Sequence, residues 1–331
     1  MNSRLIVALT WPAPPEEASH IRGALDTGFK LVIPPTRENE ALSEAVEGCD
    51  VILSWSSPPT SVVDNAKRVR LIQTLLAGVD SFELSKLRER GILLAGVSGA
   101  NAPDVAEHAL ALMLALAKDL VKAHTDLTHG TYPLYTTDTM NIGLYGKRLA
   151  IVGLGNIGID VARRALAFDM EVVGVRKHPR PATVNGREIE VAGTNELRRV
   201  LSLADFVVLT LPLTEETRSL IAAEELRAMK KTAFLVNVSR GKVVNEEALY
   251  RALEEGWIAG AGLDVWYEYP PSPHTPSKTG LHRLPNVVAT PHRAGWTEGA
   301  YRKSLDAGIG NLNRYIRGQE LRNLVDLDLG Y

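Results

Sequence analysis

A short glycine-containing stretch, RLAIVGLGNIG, limits what this chain can fold into more than any other feature. Gly153, Gly155 and Gly158 follow the apolar run Leu149–Val152 and precede the amphipathic segment Asp160–Phe168. A G-x-G-x-x-G pattern between a strand and a helix is the fingerprint of a dinucleotide-binding unit. The first glycine permits the tight turn, the second lets the backbone approach a pyrophosphate, and the third lets helix and strand pack closely. The stretch therefore predicts a Rossmann-type domain with phosphates at the helix N-terminus.

Short apolar runs alternate with helical segments in two stretches of the chain, residues 5–98 and 148–291. Such alternation is typical of parallel sheets with helices on both faces. Between the two stretches, AEHALALMLALAKDLVKA predicts one long helix, and the aperiodic residues 125–146 predict an extended arm. The final helix, residues 298–317, has no strand after it, so we expect it to pack on the first series.

The sequence thus predicts an α/β protein with two Rossmann-like domains, each built on a parallel sheet, and a small-molecule site in a cleft between them. Residues 1–100 together with 296–331 are the expected substrate domain, which is flavodoxin-like. Residues 101–295 are the expected NAD(P)-binding domain. A chain of 331 residues is long enough for two domains of ordinary size.

Composition excludes several other classes of protein. Hydrophobic residues make up 45% of the chain and charged residues 23%, with a net charge of −2, so neither a nucleic-acid surface nor a basic membrane face is expected. The longest apolar run, Ala109–Ala117, is too short to cross a bilayer. Cys49 is the single cysteine, which rules out an intrachain disulfide and a thiolate metal cage. We expect a cytoplasmic protein without a metal.

Basic residues stand where an NAD site usually has a lone carboxylate. That carboxylate, about 20 residues past the glycines, accepts a hydrogen bond from the ribose 2′-OH. Arg176 lies 18 residues after Gly158, with Lys177, His178 and Arg180 close by. A guanidinium cannot accept a hydrogen bond but binds phosphate well. We therefore expect Arg176 and Lys177 to bind a 2′-phosphate, with NADP(H) as the preferred cofactor and NAD(H) as the second; a solvated basic turn is the alternative.

Three later segments, NVSRGKVV, GLDVWYEYPP and VVATPHRAG, each follow a strand and supply polar groups. Arg240 follows the first of these strands, Asp264 and Glu268 the next, and His292 the last. Ligands bind beyond the carboxyl ends of strands in an open parallel sheet, so these groups are expected at the edge that holds the glycine loop. A cation can bind a substrate carboxylate and an imidazole can transfer the proton of an alcohol. The alternatives are a strand-end salt bridge for Arg240 and structural imidazoles for His292 and His108.

The order of these motifs resembles one family. NAPDVAEHALALML, VGLGNIG, LPLTEETRSLI, NVSRGKVV, GLDVW and TPHRAG follow one another as in the D-isomer-specific 2-hydroxyacid dehydrogenases, and they extend over nearly the whole chain. Within that family the chain resembles the NADP-type glyoxylate/hydroxypyruvate reductases. The resemblance implies that the N-terminal domain, completed by the last helix, covers the substrate. It also implies a homodimer, in which the arm and the apolar helix before it form the interface.

The resemblance further implies a role for each residue that matches a family motif. Arg240 would bind the substrate carboxylate and carbonyl oxygen, and His292 would be the general acid in reduction and the base in oxidation. Asp264 would accept a hydrogen bond from the nicotinamide carboxamide. The backbone N–H groups expected to bind the substrate carboxylate belong to Leu76, Ala77, Gly78 and Val79. The remaining implied cofactor contacts are Gly153, Gly155, Asn156, Ile157, Gly158, Leu211, Pro212 and Thr217 (the last three on the adenine side), Val238 and Val105.

One segment departs from the family pattern. The family has a glutamate directly before the proline in this segment, where it holds the histidine, but here Tyr269 precedes Pro270 and Glu268 is one position earlier. A shift of one residue in an extended chain turns a side chain to the opposite face. Either a local bulge before Pro270-Pro271 brings Glu268 onto His292 as its catalytic partner, or the histidine works as a weaker acid without that carboxylate, or Tyr269 lies near the site instead. An imidazole without such a partner would keep a pKa near the ordinary value of ~6.5.

The function expected from these features is NADPH-dependent reduction of a small 2-oxoacid, such as glyoxylate or hydroxypyruvate, to a D-2-hydroxyacid. One alternative is a nucleotide-sensing, corepressor-like binding protein without turnover, for which the displaced glutamate is the only support. Another is a formate- or phosphite-type dehydrogenase, although LLAGVDS lacks the lysine expected for phosphite. The identity of the R group is left open.

Overall fold

The computed structural model describes residues 4–132, 136–137, 140–270, 272–273 and 275–331. The chain divides into two compact units, one formed by Met1–Asn101 with Thr297–Tyr331 and the other by Ala102–Trp296. These boundaries lie one residue from those expected from the sequence. Both units are α/β, which confirms the predicted fold class.

The first unit contains a five-stranded parallel sheet in the order β2-β1-β3-β4-β5, the flavodoxin-like arrangement. Its strands are β1 (Leu5–Leu9), β2 (Phe29–Val32), β3 (Val51–Ser54), β4 (Leu71–Thr74) and β5 (Leu93–Ala95). Its first helices are α1 (Pro15–Ala24), α2 (Asn39–Val46), α3 (Thr60–Asn65) and α4 (Leu84–Glu89). Successive residues of β3 alternate between two apolar clusters, because strand side chains point to opposite faces, so both faces of the sheet are covered.

The last helix of the chain belongs to this first unit. Gly308 packs so closely on the sheet that a Cβ atom there would lie 2.4 Å from Leu75 Cδ2. Buried Asn311 donates a hydrogen bond to Gln73 Oε1 over 2.9 Å. A glycine and a pair of hydrogen-bonded polar side chains therefore hold this helix, α11 (Glu298–Ile316), against the sheet at β4. The sequence predicted that the helix would pack on the first series.

The second unit contains an eight-stranded sheet in the order β13-β12-β11-β10-β6-β7-β9-β8. The strands are β6 (Arg148–Val152), β7 (Glu171–Arg176), β8 (Ala182–Val184), β9 (Arg187–Gly193), β10 (Phe206–Leu209), β11 (Phe234–Asn237), β12 (Gly260–Leu263) and β13 (Val287–Ala289). The helices are α5 (Ala102–Ala117), α6 (Leu120–Thr128), α7 (Asn156–Ala167), α8 (Leu197–Leu203), α9 (Ala223–Ala228) and α10 (Glu246–Glu254). Only β8 is antiparallel to its neighbour, and the strand order reverses between β6 and β10, as in a Rossmann fold.

The long helix predicted over residues 106–123 is wrong in one respect, because it is two helices. Asp119 has a left-handed backbone with φ of 47°, which ends α5 and lets α6 start in a new direction. The helix α6 continues to Thr128, so the first residues of the expected arm are helical. Residues 133–135 and 138–139 of that arm lie outside the described residues.

A β-hairpin formed by β8 and β9 was not predicted. Its turn is Asn185-Gly186, both with positive φ (52° and 73°), the geometry that an Asn-Gly pair favours in a two-residue hairpin. This pair was the signal in the sequence that could have revealed the hairpin. No helix in the described part of the chain is long and apolar enough to span a membrane.

Candidate active site

The glycine turn after β6 has the geometry that its sequence predicted. Gly153 has φ of +102°, and a Cβ atom there would lie 2.8 Å from the backbone N of Leu211. A Cβ atom on Gly158 would lie 2.4 Å from the carbonyl oxygen of Gly153. Neither position can hold a side chain without moving the backbone. Gly155, in contrast, has no atom within 4 Å of its Cβ position, so a group can approach the backbone there.

The helix α7 begins at Asn156, directly after Gly155. Its first backbone N–H groups, including that of Ile157, point away from the helix body, since the first turn has no preceding carbonyls to bind. The amide N–H of Ile159 makes the first backbone bond, to Gly155 O over 2.9 Å. The open glycine and this helix N-terminus fit a pyrophosphate, so the residues present can hold a dinucleotide.

The basic residues lie at the end of β7, the strand next to β6. Arg176 is the last residue of β7, and its guanidinium donates a hydrogen bond to Leu154 O in the glycine turn over 2.7 Å. Burial, and next the charge of Arg180, lower the pKa of Arg176 from its ordinary value. Lys177 pairs with Glu216, with Nζ 2.6 Å from Oε2. The structure therefore places one guanidinium directly on the turn and a second cation beside it.

The loop after β10 faces the same turn. Leu211 is buried and packs against Gly153, as the short Cβ distance shows. Thr217 donates a hydrogen bond to Pro212 O over 2.7 Å and accepts one from Thr214 N over 2.8 Å. The hydroxyl of Thr217 thus closes this loop on itself, which is a structural reason for its place in the motif.

Two of the implied cofactor contacts are buried apolar side chains. Val105 on α5 and Val238 after β11 are 5% and 6% exposed and belong to one apolar cluster of the second unit. Their contacts in this structure are packing contacts, and their part in cofactor binding stays a prediction.

Arg240, Asp264 and His292 follow three neighbouring strands of one sheet. The last residues of these strands are in register, with Asn237 opposite Leu263 and Leu263 opposite Ala289. Parallel strands end at a common edge, so the three residues lie at the edge where β6 gives way to the glycine turn. The structure therefore brings together, within the second unit, the groups that the sequence predicted at one edge.

A glycine holds the Arg240 segment against the next one. A Cβ atom on Gly241 would lie 2.2 Å from the carbonyl oxygen of Trp266, so no other residue fits this approach. The guanidinium of Arg240 donates to the carbonyl of Ser239 over 2.8 Å, and Asn237 donates to Arg240 O over 2.9 Å. Local hydrogen bonds thus fix the backbone that carries the cation.

Asp264 is buried, 1% exposed, and its carboxylate fixes the loop that carries His292. Oδ1 accepts from Thr290 Oγ1 over 2.6 Å and from Arg293 N over 2.9 Å, and Oδ2 accepts from Ala294 N over 2.9 Å. His292 lies between these donors with φ of 53°, a conformation rare for residues other than glycine. Three hydrogen bonds on a buried charge offset the ~1–3 kcal/mol that such a backbone costs. This is what Asp264 does here; its predicted bond to a carboxamide stays a prediction.

His108 extends this network from α5. Its Nε2 lies 2.9 Å from Thr290 Oγ1 and 3.5 Å from Asp264 Oδ1. Because the Thr290 hydroxyl donates to the carboxylate, it accepts from His108 Nε2–H, which sets the tautomer of that ring. Sequence reasoning missed this role of Thr290, and only its place in TPHRAG, beside the histidine, could have indicated it.

The two neighbouring side chains before Pro270 lie in different surroundings. The ring of Tyr269 lies 5.5 Å from that of His292. The carboxylate of Glu268 lies 3.7 Å from Lys278 Nζ, and no hydrogen bond or ion pair joins Glu268 to His292 within the described residues. The expectation of a bulge that brings Glu268 onto His292 therefore differs from the structure, in which the Glu268 carboxylate lies at Lys278. Pro271, which the expected bulge includes, lies outside the described residues.

The loop expected to bind the substrate carboxylate belongs to the first unit, where it follows β4. The N–H of Leu76 donates to Thr74 Oγ1 over 3.2 Å, so this group is engaged within the protein. The N–H groups of Ala77, Gly78 and Val79 donate to no protein acceptor among the residues that the structure describes. Three successive N–H groups of this kind can bind an anion. No cluster of three or more metal-binding side chains was found in the described ranges.

Comparisons with known proteins identify the family to which the chain belongs. A family model for the NAD-binding domain of D-isomer-specific 2-hydroxyacid dehydrogenases matches residues 110–294. The chain is 36% identical over 305 residues to a glyoxylate reductase of Korarchaeum cryptofilum, with 91% of this chain and 89% of that protein covered. The chain belongs to the D-isomer-specific 2-hydroxyacid dehydrogenase family, which confirms the resemblance seen in its motifs. It is an NAD(P)-dependent oxidoreductase.

Solved structures show the same fold. The TT0316 protein of Thermus thermophilus is 32% identical, with a TM-score of 0.79 over 97% of this chain and 100% of that chain. The D-lactate dehydrogenase of Aquifex aeolicus, solved with NAD and lactic acid, is 25% identical, with a TM-score of 0.80 over 95% of this chain and 96% of that chain.

The hydroxyl of Thr290 offers a test of the loop network. Thr290→Val keeps the shape but removes a donor to a buried carboxylate, so we expect the free energy of unfolding to fall by about 1–3 kcal/mol. Thr290→Ser keeps the hydroxyl and should lose clearly less. Urea unfolding of the three proteins measures both effects. Equal losses in both variants would assign the effect to packing of the methyl group instead.

Proposed function

We propose that this protein is an NADPH-dependent reductase of small 2-oxoacids that produces D-2-hydroxyacids, with glyoxylate and hydroxypyruvate as the first substrates to test. One observation carries the proposal. Arg240 follows β11 and His292 follows β13, the strands on either side of β12, in the sheet whose switch point holds the open glycine turn. A cation for a carboxylate, an imidazole for a proton and a dinucleotide site at one sheet edge suit reduction of a 2-oxoacid. The similarity to a glyoxylate reductase supports this substrate class.

The residues divide the chemistry between them. A nicotinamide held at the glycine turn would supply the hydride for the carbonyl carbon. Arg240 binds the substrate carboxylate and polarises the carbonyl oxygen through its guanidinium. The imidazolium of His292 gives its Nε2 or Nδ1 proton to that oxygen as the carbon–oxygen double bond becomes an alcohol, and it is neutral afterwards. In the reverse direction the neutral ring takes the proton.

We propose that backbone N–H groups of the first unit contribute to carboxylate binding. Those of Ala77, Gly78 and Val79 are the candidates, because none donates to another group of the described chain. The N–H of Leu76 is not a candidate, because it already donates a hydrogen bond to the hydroxyl of Thr74.

The function predicts that His292 is needed for turnover and not for cofactor binding. With NADPH and a panel of 2-oxoacids, wild-type protein should consume NADPH, whereas His292→Gln should lose about 10²–10⁴-fold in kcat, the usual contribution of general acid catalysis. The NADPH dissociation constant, measured by fluorescence, should change little. The control is His20→Gln, at an exposed histidine that pairs with Asp306 on the surface. Tight NADPH binding by the wild type without turnover of any 2-oxoacid would favour the nucleotide-sensing alternative.

We also propose that NADP(H) is preferred over NAD(H). Arg176 donates to the glycine turn and remains a cation, and Arg180 lies close enough to perturb it. A 2′-phosphate placed between such groups gains charged hydrogen bonds, each worth about 1.5–3 kcal/mol. Two of them give about two to four powers of ten in favour of NADPH, before desolvation losses.

Arg176→Ser tests this preference. We expect kcat/KM with NADPH to fall about ten- to a hundredfold, because one charged hydrogen bond is lost, while kcat/KM with NADH stays within a few fold. Steady-state kinetics with both cofactors and one 2-oxoacid measure the ratio. Arg302→Ser, at an exposed arginine of α11 paired with Glu298, is the matched control. A parallel fall with both cofactors would mean that Arg176 supports the turn and does not choose the cofactor.

We propose a homodimer and a cytoplasmic location. None of the residues of α6 is buried, and exposed apolar side chains lie on it and after it, including Leu120, Val121, Leu127, Tyr132 and Tyr145. Exposed apolar surface of this extent is typical of an interface, and the family resemblance favours a second copy of the chain as the partner. Burial raises the pKa of the Cys49 thiol to about 12, so this cysteine suits a packing role in a reducing compartment.

The dimer proposal predicts a change of mass in one variant. Wild-type protein should have twice the 36.0 kDa of one chain by light scattering. Leu120→Glu combined with Leu127→Glu places charges on the apolar face and should give monomers at micromolar concentration. Leu329→Glu, at an exposed leucine near the C-terminus, should leave the mass unchanged. A dimer that persists in the double variant would remove α6 from the interface.

A further inference from the structure

The imidazole of His292 has an aromatic neighbour. Its ring centroid lies 5.5 Å from that of Tyr269, with an angle of 47° between the planes. Tilted ring pairs at about 4.5–7 Å are favourable because the positive edge of one ring meets the negative face of the other. Tyr269 is 43% exposed, so its ring is not part of the core, and packing of the core does not explain its place.

Tyr269 is itself held by a rigid part of the site. The backbone N–H of Trp266 donates to the Tyr269 hydroxyl over 3.1 Å. Trp266 is buried, and its indole N–H donates to Thr290 O over 2.9 Å. Its carbonyl oxygen lies against Gly241, next to Arg240. The tyrosine is thus attached to the same framework that fixes the His292 loop.

We propose that Tyr269 is a positioning residue of the reductase: its ring holds the imidazole of His292 in the orientation from which it transfers the proton, without adding a charge. This inference rests on the proposed function. The adjacent Glu268 does not take this place, since its carboxylate lies at Lys278. A phenol ring therefore limits the motion of His292 by contact, where a carboxylate would do so by attraction.

Loss of the contact should affect the reaction step more than binding. Tyr269→Ala removes the ring that packs against the imidazole, and small misplacements of a reacting group can cost as much as about a hundredfold in rate. We expect kcat to fall about ten- to a hundredfold, with KM and the NADPH dissociation constant nearly unchanged. Tyr269→Phe keeps the ring and removes the hydroxyl that accepts from Trp266 N–H, so it should restore most of kcat.

The charge of the neighbour gives a second readout. Tyr269→Glu places a carboxylate beside the imidazole. The negative charge stabilises the imidazolium, so His292 should keep its proton up to a higher pH. The alkaline limb of kcat/KM for reduction should therefore move upward, by about one pH unit. Tyr269→Phe should leave it in place. Among the residues that the structure describes, the charged or titratable groups on the elements around His292 include Arg240 after β11, Asp264 after β12, His108 on α5, Arg293 in the same loop, and Glu268 with Lys278 in the Tyr269 segment.

The experiment combines kinetics with proton NMR of the histidine rings, assigned by His292→Gln. In wild type and Tyr269→Phe, the His292 ring protons should carry the ring-current shift of an adjacent aromatic ring, and Tyr269→Ala should lose it. Tyr250→Phe, which removes a hydroxyl bonded to Glu254 on α10, is the control for loss of a tyrosine hydroxyl.

The outcomes separate this inference from the proposed function. Absence of turnover in wild type, with the ring-current shift present, would contradict the function and leave the ring contact established. Unchanged kcat in Tyr269→Ala, an unmoved limb in Tyr269→Glu, or a limb that moves in Glu268→Gln would overturn the positioning role, because the imidazole would then be set by another group.

Discussion

The hydrogen bonds of the Asp264 carboxylate determine the geometry of the candidate site. A buried carboxylate without donors would be costly, so the chain must bring donors to it. It does so with one hydroxyl and two backbone N–H groups, all from the five residues 290–294. This leaves no freedom for the backbone of His292, which adopts a positive φ in the middle of the loop. Because that conformation fixes the direction of the Cα–Cβ bond of His292, the carboxylate indirectly sets the point from which the imidazole projects.

The sheet of the second unit supplies the rest of the arrangement. Parallel strands end at a common edge, and the order reverses between β6 and β10, so the glycine turn, Arg176 and the segments of Arg240 and His292 all lie there. Close approaches that only glycine allows, at Gly153, Gly158 and Gly241, hold these segments together. The site is therefore made by loops. The register of the strands determines where each loop begins, and the glycines, which have no side chain, allow neighbouring loops to approach closely.

Most of the fold could be predicted from the sequence, because apolar periodicity and the glycine fingerprint reflect local rules. Two features of the fold were missed. The hairpin at Asn185-Gly186 has a recognisable turn signal in the sequence. The break at Asp119 has none, because nothing in an apolar helical pattern marks the one residue that takes a left-handed conformation. Of the site, the residue types and their strand-end positions were predicted. The contacts of Thr290 with His108 and Asp264 were not, because they join residues 182 and 26 positions apart.

The sequence by itself determined the family, the dinucleotide-binding turn and the set of polar groups after each strand, because these depend on residue types at short spacing. It left open which side chain before Pro270 would lie against the histidine. Only the tertiary structure decided that Tyr269 lies there and that Glu268 lies at Lys278. The physical reason is that the direction of a side chain in an irregular segment depends on what anchors its backbone. Here the Trp266 N–H donates to the Tyr269 hydroxyl, the Trp266 indole donates to the Thr290 carbonyl, and the Trp266 carbonyl packs against Gly241. These groups follow different strands of the sheet.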